Sequence, residues 1–233
     1  MTSNPIVDLG LIAIPVLLLM AFIFGKYNPE RTRRTLKPLR MSTSFVAVLI
    51  ALVVWASSTR LAGAAPWFFF GMVFGFLGDL ILADVIPLPR RMISGIIAFG
   101  VGHICYVIGF INVAATLGLS NPITGSLFWV VYVLASSFLW VVFINNPTKS
   151  RTLNIGSLIY AWLISMMAGA AGGLALQDPR FTLTAIGGAL FLLSDLILGN
   201  RELRDNGWFL VHDVVWVLYI AGQTLIVTTG MRV

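Results

Sequence analysis

The sequence predicts an all-α membrane protein, a polytopic bundle of eight transmembrane helices. Three observations predict it. Only 10% of the 233 residues are charged and 58% are apolar, with a mean hydropathy of +0.95, whereas a soluble domain is about 25% charged. Apolar runs of about 17–25 residues recur, the length a helix needs to cross a bilayer, and the short alternating strands of a barrel are not seen. The basic residues fall on one set of alternate loops, as the positive-inside rule expects of a multi-span chain.

Eight apolar segments follow in order, at about 6–24, 41–57, 67–83, 92–115, 125–144, 153–175, 182–199 and 209–229. The first has no basic region ahead of it and carries Asp8, so it is expected to be a retained helix and not a cleaved signal peptide. Pro15 interrupts it, which neighbouring helices can accommodate. The longest connection is the basic loop from Gly25 to Arg40, broken by Pro29 and Pro38. Lys26, Arg31, Arg33, Arg34, Lys37 and Arg40 follow segment one. Arg90 and Arg91 follow segment three, Lys149 and Arg151 segment five, and Arg201 and Arg204 segment seven. That side holds 12 of the 15 basic residues. It is therefore expected to be cytoplasmic, with both termini outside. Topology accounts for the net charge of +6, and nucleic acid is not implied. The single Cys105 rules out an internal disulfide.

Two phrases break the apolar pattern. Leu77-Gly78-Asp79-Leu80-Ile81-Leu82 in segment three returns as Leu193-Ser194-Asp195-Leu196-Ile197-Leu198 in segment seven, 116 residues later. A carboxylate at a helix centre costs roughly 2.5–3.5 kcal/mol even on insertion scales. No Lys or Arg lies in the central parts of the runs to pair with these acids. The offset of four segments predicts one membrane domain over 1–233, built as a 4+4 parallel duplication with halves at about 1–118 and 119–233. Glycines at 71, 75 and 78, and at 95, 102 and 109, are expected at close helix crossings.

Few other polar groups lie within the runs. His103 is near the middle of segment four, with Tyr106 one turn on. Segment eight carries His212, Trp216, Tyr219 and Gln223 on one helical face. The plain alternatives are an interhelical hydrogen bond for His103, a solvated boundary position for His212, and packing or interface roles for Tyr106, Trp216 and Tyr219. Asp79 and Asp195 are expected to carry function, with His103 near them in the fold. Tyr106, Tyr219, Gln223 and His212 are expected around the substrate, and Arg90, Arg91 and Arg201 near a lipid phosphate. A zinc site needs three or four ligands. With two histidines in the chain, no metal and no other cofactor is expected.

At these residues the sequence resembles the YhhN family, the lysoplasmalogenase-like multi-spanning membrane proteins. The resemblance rests on Gly78-Asp79-Leu80-Ile81-Leu82, on Gly102-His103 with Tyr106, on Leu193-Ser194-Asp195-Leu196-Ile197-Leu198, and on Tyr219 with Gln223. It spans segments one to eight, and His212-Asp213 departs from the family's pattern. It implies an eight-helix fold in the cell membrane. It also implies hydrolysis of the vinyl ether of a lysoplasmalogen to a fatty aldehyde and a glycerophospho-alcohol. The expected partners are thus a lysophospholipid substrate and membrane lipids, with no obligate protein partner.

On that resemblance Asp79 and Asp195 are the expected catalytic pair, with His103, and paired acids fit that chemistry. Vinyl ether hydrolysis begins with protonation of the β-carbon and passes through an oxocarbenium ion, so one acid must keep its proton near neutral pH. Carboxyls out of water and beside another carboxyl do so more readily, and glycosidases divide the work between two carboxyls in the same way. The alternative is a proton-coupled transporter, since intramembrane acids also serve as proton relays.

Overall fold

The structure is a computed structural model that describes residues 4–119 and 121–232, with residues 122–126 described by backbone alone. Helices form every regular element among the described residues. They are α1 (Pro5–Ile23), α2 (Lys37–Ser57), α3 (Ala65–Leu82), α4 (Arg91–Leu117), α5 (Pro122–Phe143), α6 (Arg151–Gln177), α7 (Thr182–Arg204) and α8 (Val211–Val227). Short 3₁₀ turns at Pro179–Phe181 and Thr228–Met231 precede α7 and follow α8. Among the described residues, seven helices are long and apolar enough to cross a membrane, and the described apolar part of α5 is Leu127–Phe143.

Local chemistry sets the helix ends. Prolines stand in the first turns of α1, α2 and α3, where the missing N–H has no helical acceptor. Asn4 and Ser150 cap α1 and α6 by accepting the amides of Ile6 and Leu153. Gly118, at φ 67°, stops α4 in the left-handed conformation that glycine adopts without strain. Pro15 leaves α1 a single helix. The start of α2 lies four residues before the apolar run that predicts it, so Lys37 and Arg40 belong to its first turn.

The helices pack as two chained sets. In the first, α1 packs on α2, α2 on α3 and α3 on α4. In the second, α5 packs on α6, α6 on α7 and α7 on α8. The larger contacts between the sets are α4 on α6 and α8 on α2, with a smaller one between α3 and α8. A shift of four helices turns the first of these into the second. Backbones come closest where side chains are absent: a Cβ on Gly102 would lie 2.9 Å from the Gly71 carbonyl oxygen, and one on Gly222 would lie 2.8 Å from that of Gly187. The α3–α4 and α7–α8 pairs thus cross tightly, as helices in lipid must when hydrophobicity gives them no drive to associate.

The outer surface is hydrocarbon. Leu9, Leu134 and Phe138 are 68%, 65% and 67% exposed, which suits a lipid solvent and not water. The interior is aromatic near α3 and α4, where Phe68 and Phe110 stack 5.1 Å apart and Phe68 and Tyr106 6.3 Å apart.

The basic α1–α2 loop is tied to the start of α8. The amides of Leu210 and His212 donate to the carbonyls of Arg31 and Thr32, each at 3.0 Å. The Asp213 carboxylate accepts the amides of Arg34 at 2.6 Å and Thr35 at 3.1 Å, and the Thr35 hydroxyl. His212-Asp213 therefore has a structural task. Asp213 holds the loop, and the loop carries Arg33 to the rim of the cleft described next.

Candidate functional site: two acids on one cationic cleft

Asp79 sits in the last turn of α3 and is 4% exposed. Its carboxylate accepts the Ser44 hydroxyl of α2 and the Tyr219 hydroxyl of α8, the latter at 2.8 Å. The bonds continue away from the acid. Gln223 donates its amide to the Tyr219 oxygen at 3.3 Å, and its own carbonyl accepts the Tyr106 hydroxyl at 2.5 Å. Gly75 makes room for this chain, since a Cβ there would lie 2.6 Å from the Gln223 amide nitrogen.

Asp195 on α7 has a second, separate set of partners. The Tyr160 hydroxyl of α6 donates to one oxygen and the Ser194 hydroxyl to the other at 3.1 Å. Ser194 and Asp195 do meet although they are chain neighbours, because the serine turns back toward the Phe191 carbonyl at 2.7 Å. His103 Nε2 lies 3.0 Å from the Tyr160 oxygen. A tyrosine hydroxyl has one proton, and here it goes to Asp195, so the imidazole proton belongs on Nε2. Nδ1 is buried without a hydrogen-bond partner.

The two sets share no hydrogen bond. Aromatic rings separate them: Tyr219 packs against Phe191 at 5.1 Å and Phe99 at 5.9 Å, and Phe191 packs against His103 at 4.8 Å. His103 and Tyr106, one turn apart on α4, thus serve different acids.

The sets nonetheless correspond in the chain. Ser44 precedes Asp79 by 35 residues, and Tyr160 precedes Asp195 by 35. Tyr219, which bonds to Asp79, follows His103, which bonds to Tyr160, by the same 116 residues that separate the two acids. Each acid on α3 or α7 takes a hydroxyl from the helix before it. Each set is completed from the last helix of one four-helix run, α8 for Asp79 and α4 for Asp195.

Asp79 and Asp195 both line a cleft of about 420 Å³. Arg33, Lys37, Arg40 and Arg91 supply its cationic wall, with His212 beside them. The Arg40 guanidinium lies 4.6 Å over the Trp216 ring, a cation–π contact. The Trp216 indole donates to Thr43 at 3.1 Å, which fixes the ring. The Arg40 Nε is buried with no hydrogen-bond partner. Among the described residues, the ion pairs are Lys149–Asp205, Arg180–Asp178 and Arg201–Glu30, and none uses a cation of the cleft. The cleft therefore presents positive charge, without an ion-pair partner, beside two carboxyls.

The expected phosphate residues divide. Arg91 lines the cleft. Arg90 precedes α4 at φ 52° and is not part of the lining. Arg201 reaches Glu30 at 3.4 Å. The residues that sequence reasoning passed over are Arg33, Lys37, Arg40, Ser44 and Tyr160. The basic ones had been explained by topology. Ser44 and Tyr160 carried a signal that went unused, since a shift of 116 residues superposes them as it superposes the acids. No group of three or more His, Cys, Asp or Glu poised to hold a metal ion occurs among the described residues.

The fold and the site define an integral membrane protein of helical-bundle type that carries two carboxyls on one cleft. The chain belongs to the YhhN family, whose model matches residues 39–230 and so covers α3 to α8 and nearly all of α2. Comparison with curated proteins and with solved structures finds no match.

Proposed function

We propose that the protein is a membrane-embedded hydrolase that cleaves the vinyl ether of lysoplasmalogens by acid–base catalysis with Asp79 and Asp195. It crosses the cell membrane eight times with both termini outside, and its two four-helix halves each contribute one acid. The observation that carries this reading is the cleft itself, where two carboxyls from different helices face one space with a cationic wall. A lysolipid phosphate suits Arg40, Lys37, Arg33 and Arg91, with the ether bond beyond it at the acids.

In the reaction, the protonated member of the pair gives its proton to the β-carbon of the enol ether. The π electrons form the new C–H bond and the ether oxygen shares its lone pair, which leaves an oxocarbenium ion. The ionised carboxyl stabilises that cation and takes a proton from the attacking water. The resulting hemiacetal loses its glycerol oxygen, which takes up a proton. The products are a fatty aldehyde and a glycerophospho-alcohol. Tyr219 with Ser44, and Tyr160 with Ser194, position the two carboxyls.

The extent of the polar chain favours hydrolysis over proton-coupled transport. It runs from Asp79 through Tyr219 and Gln223 to Tyr106, where the rings of Phe68 and Phe110 follow. A carrier needs polar groups through the whole membrane depth.

The test is mass-spectrometric analysis of products from a lysolipid panel with alkenyl, alkyl and acyl members. Purified protein should release aldehyde from the alkenyl member alone. Asp79→Asn and Asp195→Asn should each lower kcat by about 10²–10⁴-fold, the usual worth of a positioned acid or base. Full turnover in both variants removes the paired-acid mechanism. Proton-driven substrate movement in sealed vesicles with no product formed replaces hydrolase with carrier.

A further inference from the structure

Beside the cationic cleft lies a second, apolar cavity among α4, α5, α6 and α7. Ile96, Leu139, Ile144, Ala161, Ile164 and Leu196 form much of its wall. The two spaces are continuous in their lining: Leu82, Met92, Phe99, Asp195, Leu198 and Glu202 border both. Asp79 borders the cationic cleft alone. One carboxyl therefore stands at the junction of a charged space and a hydrocarbon-lined one.

We propose that this cavity is the seat of a single hydrocarbon chain whose anionic head lies in the cationic cleft, and that its walls set chain-length preference. The proposal rests on the hydrolase reading for the identity of the ligand as a single-chain ether phospholipid. Three features support it. Charge and polarity change from one space to the other in the order in which a lysolipid changes from head to tail. The wall reaches past Asp195, away from the basic loops, to Leu192 of α7 and Ile164 of α6, the direction a tail takes from a head in the cationic cleft. Finally, α4 packs on α6, and α5 packs on α6 and α7, while α4 and α5 touch each other little. That seam faces the bilayer, with Ile97 and Ile104 of α4 and Leu134 and Phe138 of α5 exposed, and it gives a chain a lateral way in.

The occupant is a single chain because aromatic packing confines the junction. Phe99, which borders both spaces, is itself packed against Phe191 and Tyr219 at 6.4 and 5.9 Å. Ala161 and Gly199 are the small apolar residues of the cavity wall, beside Ser136 and Ser157. A Cβ on Gly199 would already lie 3.0 Å from Ile144. Bulk added at Ala161 should therefore shorten the space, and bulk removed at Leu139 should lengthen it.

The experiment measures binding of a saturated 1-O-alkyl lysophosphoethanolamine series to purified protein by native mass spectrometry. These ligands have no double bond to protonate, so binding is read without turnover. Affinity of the wild type, referred to monomeric ligand in water, should rise about fourfold per methylene until the cavity is filled. Ala161→Phe should move that limit to a shorter chain and weaken the longest ligand at least tenfold. Leu139→Ala should move it to a longer chain. Binding of glycerophosphoethanolamine, which has no chain, should be the same in all three. Identical chain-length profiles in the three proteins overturn the proposal, even where one variant is less stable. Aldehyde release from the alkenyl lysolipid is measured on the same wild-type preparation. Shifted profiles without aldehyde keep the chain site and remove the hydrolase, and aldehyde with unshifted profiles does the reverse.

Discussion

Tyr160→Phe isolates the contribution of one hydroxyl that serves two buried groups. The hydroxyl donates to Asp195 and lies 3.0 Å from His103 Nε2. Phenylalanine keeps the ring, so packing is retained, including the contact with His103 at 5.3 Å between centroids. Interhelical hydrogen bonds in membrane proteins are worth about 0.6 kcal/mol on average, because helices separated in lipid find other partners. A bond to a carboxylate is roughly twice as strong. The two losses together come to about 2 kcal/mol, or roughly thirtyfold in the folding equilibrium. The loss also leaves both His103 nitrogens without partners, since Nδ1 has none to begin with. Reversible unfolding in mixed micelles, monitored through tryptophan fluorescence, gives the number. A double-mutant cycle with Asp195→Asn should return about 1 kcal/mol of coupling. A Tyr160→Phe value within about 0.3 kcal/mol of wild type, with no coupling, would refute the claim that this hydroxyl holds the acid.

Two further substitutions probe the other set and the loop. Gly75→Ala places a methyl 2.6 Å from the Gln223 amide and 3.3 Å from the Tyr219 hydroxyl. Gln223 must swing away, so stability should fall by about 1–3 kcal/mol, as for other overpacked interiors, and aldehyde release should fall with it. Unchanged turnover in that variant would show that the Tyr106–Gln223–Tyr219 chain does not support Asp79. Asp213→Asn removes one of the two oxygens that accept from Arg34 and Thr35, at a cost of about 1.5–3 kcal/mol for bonds to a charged group. Hydrogen exchange at the Arg34 and Thr35 amides should quicken markedly. Unaltered exchange there would mean that Asp213 does not tie the loop.

Much of the fold was legible because lipid leaves a chain few choices. Backbone groups in hydrocarbon must bond within the segment, so long apolar runs become helices. The seven helices that qualify as spans lie close to the runs that predict them. The start of α2 moved back where Pro38 suits a first turn, which brings Lys37 and Arg40 into the helix. The site was less legible. Asp79 and Asp195 stood out because an acid in an apolar run is costly. Ser44 and Tyr160 did not, because serine and tyrosine are ordinary in membrane helices. The distribution of partners was not legible either. His103 and Tyr106 share a helix, and only the rotation of α4 against α6 and α8 sends one to Asp195 and the other to Gln223.

By itself the sequence determined that the chain lives in a membrane as helices, that two matched acids lie within those helices, and that basic residues gather on one set of loops. These follow from hydrophobicity, helix length and residue periodicity, which are local properties. The tertiary structure decided which hydroxyl serves which acid. It also decided that Arg33, Lys37, Arg40 and Arg91, and not Arg90 or Arg201, wall the cleft, and that an apolar cavity joins that cleft at Asp195. Those outcomes depend on helix rotation and close crossings, set where Gly71 meets Gly102 and Gly187 meets Gly222. No stretch of sequence contains them, because each is made by residues from helices far apart in the chain.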